Sequence, residues 1–258
     1  MVSETVSTGK KIAILQSNYI PWKGYFDLIR SVDEFVILDE VQFTQQDWRN
    51  RNLIKTQQGV QWITIPVKTK SKIKIREVEV SQPGWHIRHW KSISQNLRRA
   101  AHFERYEAEL HEAYLAAGEM PFLSQVNLSF LKLINRWLGI QTKISNSSDY
   151  PAPNERTERL VSICQMTDAT EYLSGPAAKD YLEQDLFNQA GIAVRWFDYE
   201  GYPEYPQLYG TFEHRVTALD LVLNTGPDAP RYLERNRNRQ LMTPGNLVDD
   251  LASEDPKP

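Results

Sequence analysis

The chain has 258 residues, 41% hydrophobic, 24% charged and 11% aromatic, with seven tryptophans and a formal net charge of −3. Such a length and apolar content support a sizeable core and exclude disorder through most of the chain. The near-balanced charge gives no overall field for a nucleic acid, and no clear nucleic-acid-binding motif is present. A single cysteine, Cys164, excludes an intrachain disulfide framework and a multi-thiolate metal site. No apolar run approaches the roughly 18 residues of a membrane span. The polar start MVSETVSTGK has no apolar signal segment, so a cytoplasmic location is expected.

The first ten residues are polar and are expected to fray. Ile12–Leu15 then reads as a short buried strand ending in Gln16-Ser-Asn18. After the loop Tyr19–Gly24, the residues Tyr25, Phe26, Leu28 and Ile29 recur at helical spacing, and Phe35–Leu38 is a second apolar strand ending at Asp39-Glu40. Strand, helix and strand in this span predict a βαβ unit and a parallel sheet. Within 47–55, Arg51 and Lys55 are spaced i, i+4, so a helical turn there would point both one way. Further strands are expected at 62–67, 171–173 and 193–197, all in the same sheet, with a strand pair finishing at 77–80. The spacing predicts helices over 86–101, 104–117 and 121–138, with Gly139 as a C-cap. Residues 142–145 read as a short extended stretch before 146–153, the best candidate for a lobe boundary. Later helices are expected at 154–166, with Asn154 as cap, from Pro176, and at 217–224. The fold class is therefore α/β: a mainly parallel, Rossmann-like sheet flanked by helices in a single domain over 11–225. A helical subdomain occupies about 86–138, and residues 228–258 form a polar tail expected to be partly disordered.

Several chemistries are absent from the sequence. There is no phosphate-binding GxxxxGK[ST] loop, GxGxxG, CxxC or GxSxG. His111-Glu112 begins a zincin-like pair, but Leu115 stands where the second histidine belongs. His86 and His89 lie between Trp85 and Trp90 without a nearby carboxylate, so no metal site is expected. Cys164 falls on an apolar helix face and reads as core.

Four clusters suggest a site. The first is the loop after the first strand, with the amides of Gln16 and Asn18, the ring of Trp22, and Gly24, which could admit a phosphate to the helix start. The second is Asp39-Glu40-Val-Gln42, where an acid such as Asp39 could bind a ribose hydroxyl, hold a metal or orient an amine, and Gln42 could meet a substrate group; a solvated turn or a helix cap is the plain alternative. The third is a basic stretch, residues 47–76, with eight basic residues against Asp47 alone. Within it Arg51 and Lys55 suit a phosphate or developing carboxylate charge, and the later lysines suit an exposed edge. The fourth is Ser174-Gly175, a hydroxyl and bare backbone before a helix. Tyr25, Asn52, Tyr205 and Gln207 complete the candidate substrate contacts.

These residues fall in separated motifs that resemble the WbqC-like protein family: Ile14-Leu-Gln16 with Pro21-Trp-x-Gly-Tyr-Phe26, Asp39 with Val41-Gln-Phe43, Arg51-Asn-x-Ile-Lys55, Trp62–Val67, Tyr172–Gly175, Tyr205-Pro-Gln207 and Asp220-Leu-x-x-Asn-x-Gly226. The resemblance implies a role in bacterial surface-polysaccharide (O-antigen) pathways, with transfer of an activated amino acid such as glycine to an amino sugar. The small-molecule partner it implies is a nucleotide amino sugar. It leaves the cofactor open between ATP with Mg and an aminoacyl donor, an aminoacyl-tRNA among them. A more distant similarity joins Pro21-Trp-Lys-Gly-Tyr25 to the HxGH loop of nucleotidyltransferases and pantothenate-synthetase-like ligases. Trp22 and Tyr25 stand near the histidine positions, so the imidazoles that stabilise adenylyl transfer there are missing. A non-catalytic sugar-nucleotide-binding or scaffold protein of the same pathway is the alternative.

Overall fold

The computed structural model describes residues 9–153 and 155–235. The early strands are β1 (Lys10–Leu15), β2 (Glu34–Ile37), β3 (Arg51–Thr56), β4 (Gly59–Thr64), β5 (Val67–Lys68) and β6 (Glu79–Val80), with helix α1 (Lys23–Arg30) between the first two. Three helices follow, α2 (Trp85–Leu97), α3 (Phe103–Gly118) and α4 (Leu123–Trp137). The chain then runs through β7 (Lys143–Asn146), α5 (Arg156–Met166), β8 (Ala169–Ser174), α6 (Gln184–Gln189), β9 (Ala193–Trp196) and α7 (Ala218–Thr225).

Five strands form the central sheet in the order β7-β2-β1-β8-β9, and every neighbouring pair is parallel. Alternation along β1 sends Ile12 and Ile14 into one core with Leu160 and Cys164 of α5 and Phe187 of α6. Ala13 goes to the other face, where Phe26 and Ile29 of α1 and residues of α2, α3, α4 and α7 share a second core. Both faces are covered, which is why the inner strands β1 and β2 carry the continuous apolar runs Ile12–Leu15 and Phe35–Ile37. The chain leaves β1 on one side of the sheet and returns for β8 on the other. The order therefore reverses between β1 and β8, the switch point at which such sheets open a crevice at their carboxyl ends.

The structure corrects several expectations. Residues 62–67 do not join the central sheet. β4 pairs antiparallel with β3 in a separate hairpin, with Arg51 opposite Thr64 and Lys55 opposite Val60. The central sheet takes β7 as its edge instead, pairing Glu34 with Lys143. Residues 51–55 are thus extended, not helical. The hairpin turn at Gly59 (φ 109°) brings residues 59–64 alongside 51–56 as antiparallel backbone partners. Strands from both sides of the 146–153 segment lie in one sheet, so no lobe boundary falls there. The segment from Pro176 is a 3-10 turn to Asp180, and α6 starts only at Gln184. Residues 226–233 are also ordered, as a 3-10 helix that buries Ala229 and Leu233 against α1 and α7. The rest of the expected tails, 1–8 and 236–258, and the Asn154 cap lie outside the described residues. Gly139 does end α4, at φ 67°.

At the amino-terminal end of the sheet, Glu34 is completely buried, yet its carboxylate accepts from Lys10 (2.7 Å), Ser145 (2.6 Å) and Tyr150 (2.6 Å), with Lys143 at 3.1 Å. Burial alone would raise its pKa; these four donors outweigh it and bring the group down to about 2. A carboxylate held below its unfolded value contributes stability above about pH 4.5, and that contribution disappears as pH falls through about 2. Glu34→Gln is therefore expected to lose about 1–3 kcal/mol at neutral pH. The variant's stability, followed by urea denaturation, should fall less steeply than wild type between pH 4.5 and 2.

Candidate functional site

The carboxyl end of β1 turns outward into a loop whose polar groups are held by other elements. Asp39, at the end of β2, accepts from the Ser17 N–H (2.9 Å) and the Ser17 hydroxyl (2.8 Å). Burial raises its pKa, and the two Ser17 bonds and Arg49 oppose the rise. Asn127 of α4 donates to both Ser17 Oγ (3.0 Å) and the Arg49 carbonyl (2.9 Å). Tyr25 donates to the Gln16 carbonyl at 2.9 Å.

Arg49 lies over this loop. Its guanidinium donates to Oδ1 of Asn18 and to Oε1 of Gln16, and it pairs with Asp47 at 3.6 Å. With both amide oxygens turned to Arg49, each amide nitrogen is left opposite, and neither nitrogen meets a protein acceptor among the described residues. The loop therefore presents N–H donors at the switch point, a set that suits phosphate or carboxylate oxygens.

Farther along, Asn52 of β3 donates to the carbonyls of Tyr19 (3.0 Å) and Ile20 (2.8 Å), and the Tyr19 N–H reaches the Trp48 carbonyl (2.9 Å). Ile20 is left at φ 42°, a conformation that a β-branched residue adopts only under constraint. The Tyr19 side chain continues the anchoring inward. Its hydroxyl lies 2.8 Å from His89 Nδ1 and 2.9 Å from the Tyr114 hydroxyl, while His89 Nε2 lies 3.1 Å from the Thr64 carbonyl. Only a proton on Nε2 satisfies that carbonyl, so Tyr19 donates to His89 and Tyr114 donates to Tyr19. Burial, opposed by the Thr64 bond, lowers the His89 pKa to about 4 and keeps the ring neutral.

A cleft of about 200 Å3 opens beside this loop, lined by Asn18, Trp22, Trp48, Asn52 and Arg215. A wider depression of about 450 Å3, between Asp33, Gln141 and Pro230, lies at the amino-terminal end of the sheet, away from the motif residues. The space over Gly24 is taken by Trp22. A Cβ there would meet the indole at 2.3 Å, so the close approach that the glycine allows is made by the chain's own ring. Trp22 touches Tyr199 (5.5 Å between ring centroids), and Tyr199 lies 3.6 Å from where a Gly175 Cβ would stand. Ser174 and Gly175 thus adjoin the cleft through Tyr199, with Ser174 buried at the end of β8.

Lys55 is in a different setting. Its ammonium donates to Oε1 of Gln207 (2.7 Å) and to the Thr211 carbonyl (2.5 Å). Gln207 in turn donates to Asp220 (2.7 Å), and Tyr205 donates to the same carboxyl oxygen at 2.7 Å. Asp220 is completely buried and its Oδ2 has no partner. Burial raises its pKa against the pull of Tyr205, Gln207, Lys55 and Lys23. Lys23 lies in the same region, with its ammonium 5.1 Å from the Tyr205 ring and bonded to the Pro203 carbonyl (2.8 Å). Burial, opposed by Glu204 and Asp220, lowers its pKa to about 8.

Arg51 and Lys55 share a face of β3, but four strand residues put them roughly 13 Å apart along the backbone. Arg51 stacks over Trp62, its guanidinium carbon 4.1 Å from the ring centroid. Gln42 is exposed and pairs by its backbone with Lys74, apart from the other candidates. Arg49, Ser17, Asn127, Trp48, Arg215 and Asp220 were not among the sequence candidates for the site. Arg49 stood in the basic stretch and Asp220 in a motif, so those two left a signal; Ser17 and Asn127 left none that spacing could reveal. No group of three or more His, Cys, Asp or Glu side chains among the described residues could hold a metal ion. No helix among them is long and apolar enough to cross a membrane.

A fully parallel, doubly wound five-stranded sheet flanked by helices defines an α/β protein, and the polar groups described above gather at its switch point. The model of the WbqC-like protein family matches residues 16–232, and the chain belongs to that family. It is similar to Uncharacterized protein Rv1507c of Mycobacterium tuberculosis (strain ATCC 25618 / H37Rv), with 49% identity over 226 residues, 87% of this chain and 97% of that protein. No solved structure matches the chain.

Asn52 satisfies two loop carbonyls and holds the strained Ile20. Asn52→Ala is expected to cost about 1–3 kcal/mol and to increase amide exchange at residues 18–22 ahead of global unfolding. Exchange unchanged in that loop would show that the strain is held elsewhere.

Proposed function

We propose that this protein is a transferase or ligase of surface-polysaccharide (O-antigen) biosynthesis, which joins an activated amino acid, such as glycine, to the amine of a nucleotide-linked amino sugar. The observation that carries the reading is the Arg49 clamp on Gln16 and Asn18. With their oxygens held by Arg49, the two amides keep N–H donors without a protein acceptor among the described residues, beside the strand ends where a doubly wound sheet accepts an anionic ligand. In this reading the phosphates of the sugar nucleotide meet those donors, with Ser174 and Gly175 adjoining. Arg51 and Arg215 stand near the Trp48 cleft and supply positive charge. The amine nitrogen attacks the carbonyl carbon of an acyl-adenylate or aminoacyl ester. The C–N bond forms as the C–O bond to the leaving group breaks, and the amine proton passes to solvent or to the leaving oxygen. Orientation and charge stabilisation supply the catalysis. Asp39 acts as a positioning residue, because both its oxygens are engaged by Ser17.

The same engagement of Asp39, together with the tethering of Lys55 by Gln207 and Thr211, favours a second reading. A cleft lined, among the described residues, by no free carboxylate or amine suits binding without catalysis, as in a scaffold that presents a sugar nucleotide to a partner enzyme.

The two readings are separated by incubating the protein with nucleotide amino sugars, ATP-Mg and amino acids, or with aminoacyl-tRNA, and looking for the amide product by mass spectrometry. Ligand binding should raise the melting temperature of the wild type. Arg49→Ala should abolish that shift and lower product formation at least tenfold, and Arg49→Lys should recover little, since one ammonium cannot bridge both amide oxygens. Stabilisation by a nucleotide amino sugar without any amide product would support the scaffold; no stabilisation by any of them would remove both readings.

A further inference from the structure

Of the seven tryptophans, Trp48 and Trp62 are the two that are exposed, each with 39% of its surface open. Exposed indole is costly to leave in water, and here the two rings face each other, with centroids 5.2 Å apart and planes tilted by 42°. They come from different segments. Trp62 stands on the outer face of β4, and Trp48 lies in the turn before β3, where its carbonyl holds the Tyr19 N–H. The pair is therefore fixed to the loop that carries Asn18, and Trp48 and Asn18 line the same cleft.

Arg51 completes the cluster. It lies diagonally across the hairpin from Trp62 and stacks over that ring at 4.1 Å. Stacking fixes the guanidinium plane and leaves its in-plane N–H groups free to bond at the edges. The Arg51 Nε is buried and has no acceptor in the protein. A guanidinium with in-plane donors beside open aromatic surface suits a ligand that is both planar and rich in acceptors.

Resting on the anion seat of the proposed function, we infer that Trp48, Trp62 and Arg51 form the seat of a nucleobase, whose attached phosphates reach the donors of Gln16 and Asn18. A base has a π face for the indoles and ring carbonyls or nitrogens for Arg51. The apolar face of a sugar could lie on an indole too, but its hydroxyls do not offer the flat array of acceptors in the plane of the stack. The nucleotide half of the ligand thus lies on the hairpin side of the cleft, and the part that reacts lies toward Trp22, Tyr199 and Ser174.

The test is calorimetric titration of wild type, Trp62→Ala, Trp62→Phe and Trp48→Ala with UDP, GDP, ADP, dTDP and inorganic pyrophosphate. At least one nucleoside diphosphate should bind the wild type more tightly than pyrophosphate does. Trp62→Ala and Trp48→Ala should each weaken that nucleotide between about 5- and 150-fold, the range of a lost base stack. Pyrophosphate binding should stay unchanged, and Trp62→Phe should retain most of the nucleotide affinity. Unchanged pyrophosphate binding also certifies that the variants are folded. Equal wild-type affinity for pyrophosphate and every nucleotide, equal losses of both in the alanine variants, or no nucleotide binding at all would overturn the base seat. Failure of the acylation reading looks different: nucleotide binding and its tryptophan dependence remain, and no amide product is formed.

Discussion

A loop that leaves the end of a parallel strand carries backbone N–H and carbonyl groups with no ladder partner, and burying them unpaired would cost more than most side-chain contacts return. Here the hairpin β3–β4 and the segment leading into it meet that demand for the loop after β1. Asn52 takes the carbonyls of Tyr19 and Ile20, the Trp48 carbonyl takes the Tyr19 N–H, and Asn127 ties Ser17 to the Arg49 backbone. With the loop fixed from outside the sheet, Ile20 can be kept at a positive φ and Gln16 and Asn18 can be set in defined orientations. The course of the loop at Tyr19 and Ile20 rests on this transfer of hydrogen bonds from sheet to hairpin, while Asp39 and Tyr25 hold its start at Ser17 and Gln16.

The same arrangement divides the charged groups into two kinds. Asp39, Lys55 and Asp220 are buried and hydrogen-bonded to protein partners, Asp220 through Oδ1 alone, so they hold chain segments together. Lys55 and Gln207 join β3 to the loop before α7, and Asp220 takes Tyr205 and Gln207 back to α7 itself. Arg49, Arg51 and Arg215 lie nearer the surface around the cleft, where a guanidinium keeps its charge and can spare donors. The charged groups of the core are thus engaged by protein partners, and guanidinium donors stand at the rim.

Glu34 plays the matching part at the opposite end of the sheet. It gathers Lys10, Lys143, Ser145 and Tyr150 around one buried carboxylate and so joins β1, β2 and β7 where their amino ends meet. The ion pairs at this end stabilise the sheet; the unpaired donors at the other end are available to a ligand.

Local sequence was enough for the α/β class, the parallel βαβ start, and the three helices between β6 and β7. Apolar runs and helical spacing are set by short-range burial, and these segments bury one consistent face. It also drew attention to Gln16, Asn18, Trp22 and Ser174, because strand ends in a parallel sheet are where ligand groups gather, and to Tyr205 and Gln207 through their aromatic loop. What each residue does was decided by the tertiary structure. Residues 51–55 became a strand because residues 59–64 lay within reach to pair with them, a contact that spacing alone does not reveal. An i, i+4 pair on a helix is close, and the same pair on a strand is roughly 13 Å apart. That geometry sent Lys55 to Gln207 and Arg51 to Trp62. The arginine that orients the loop amides is Arg49, two residues earlier, and only the packing of the segment before β3 against the β1 loop could select it.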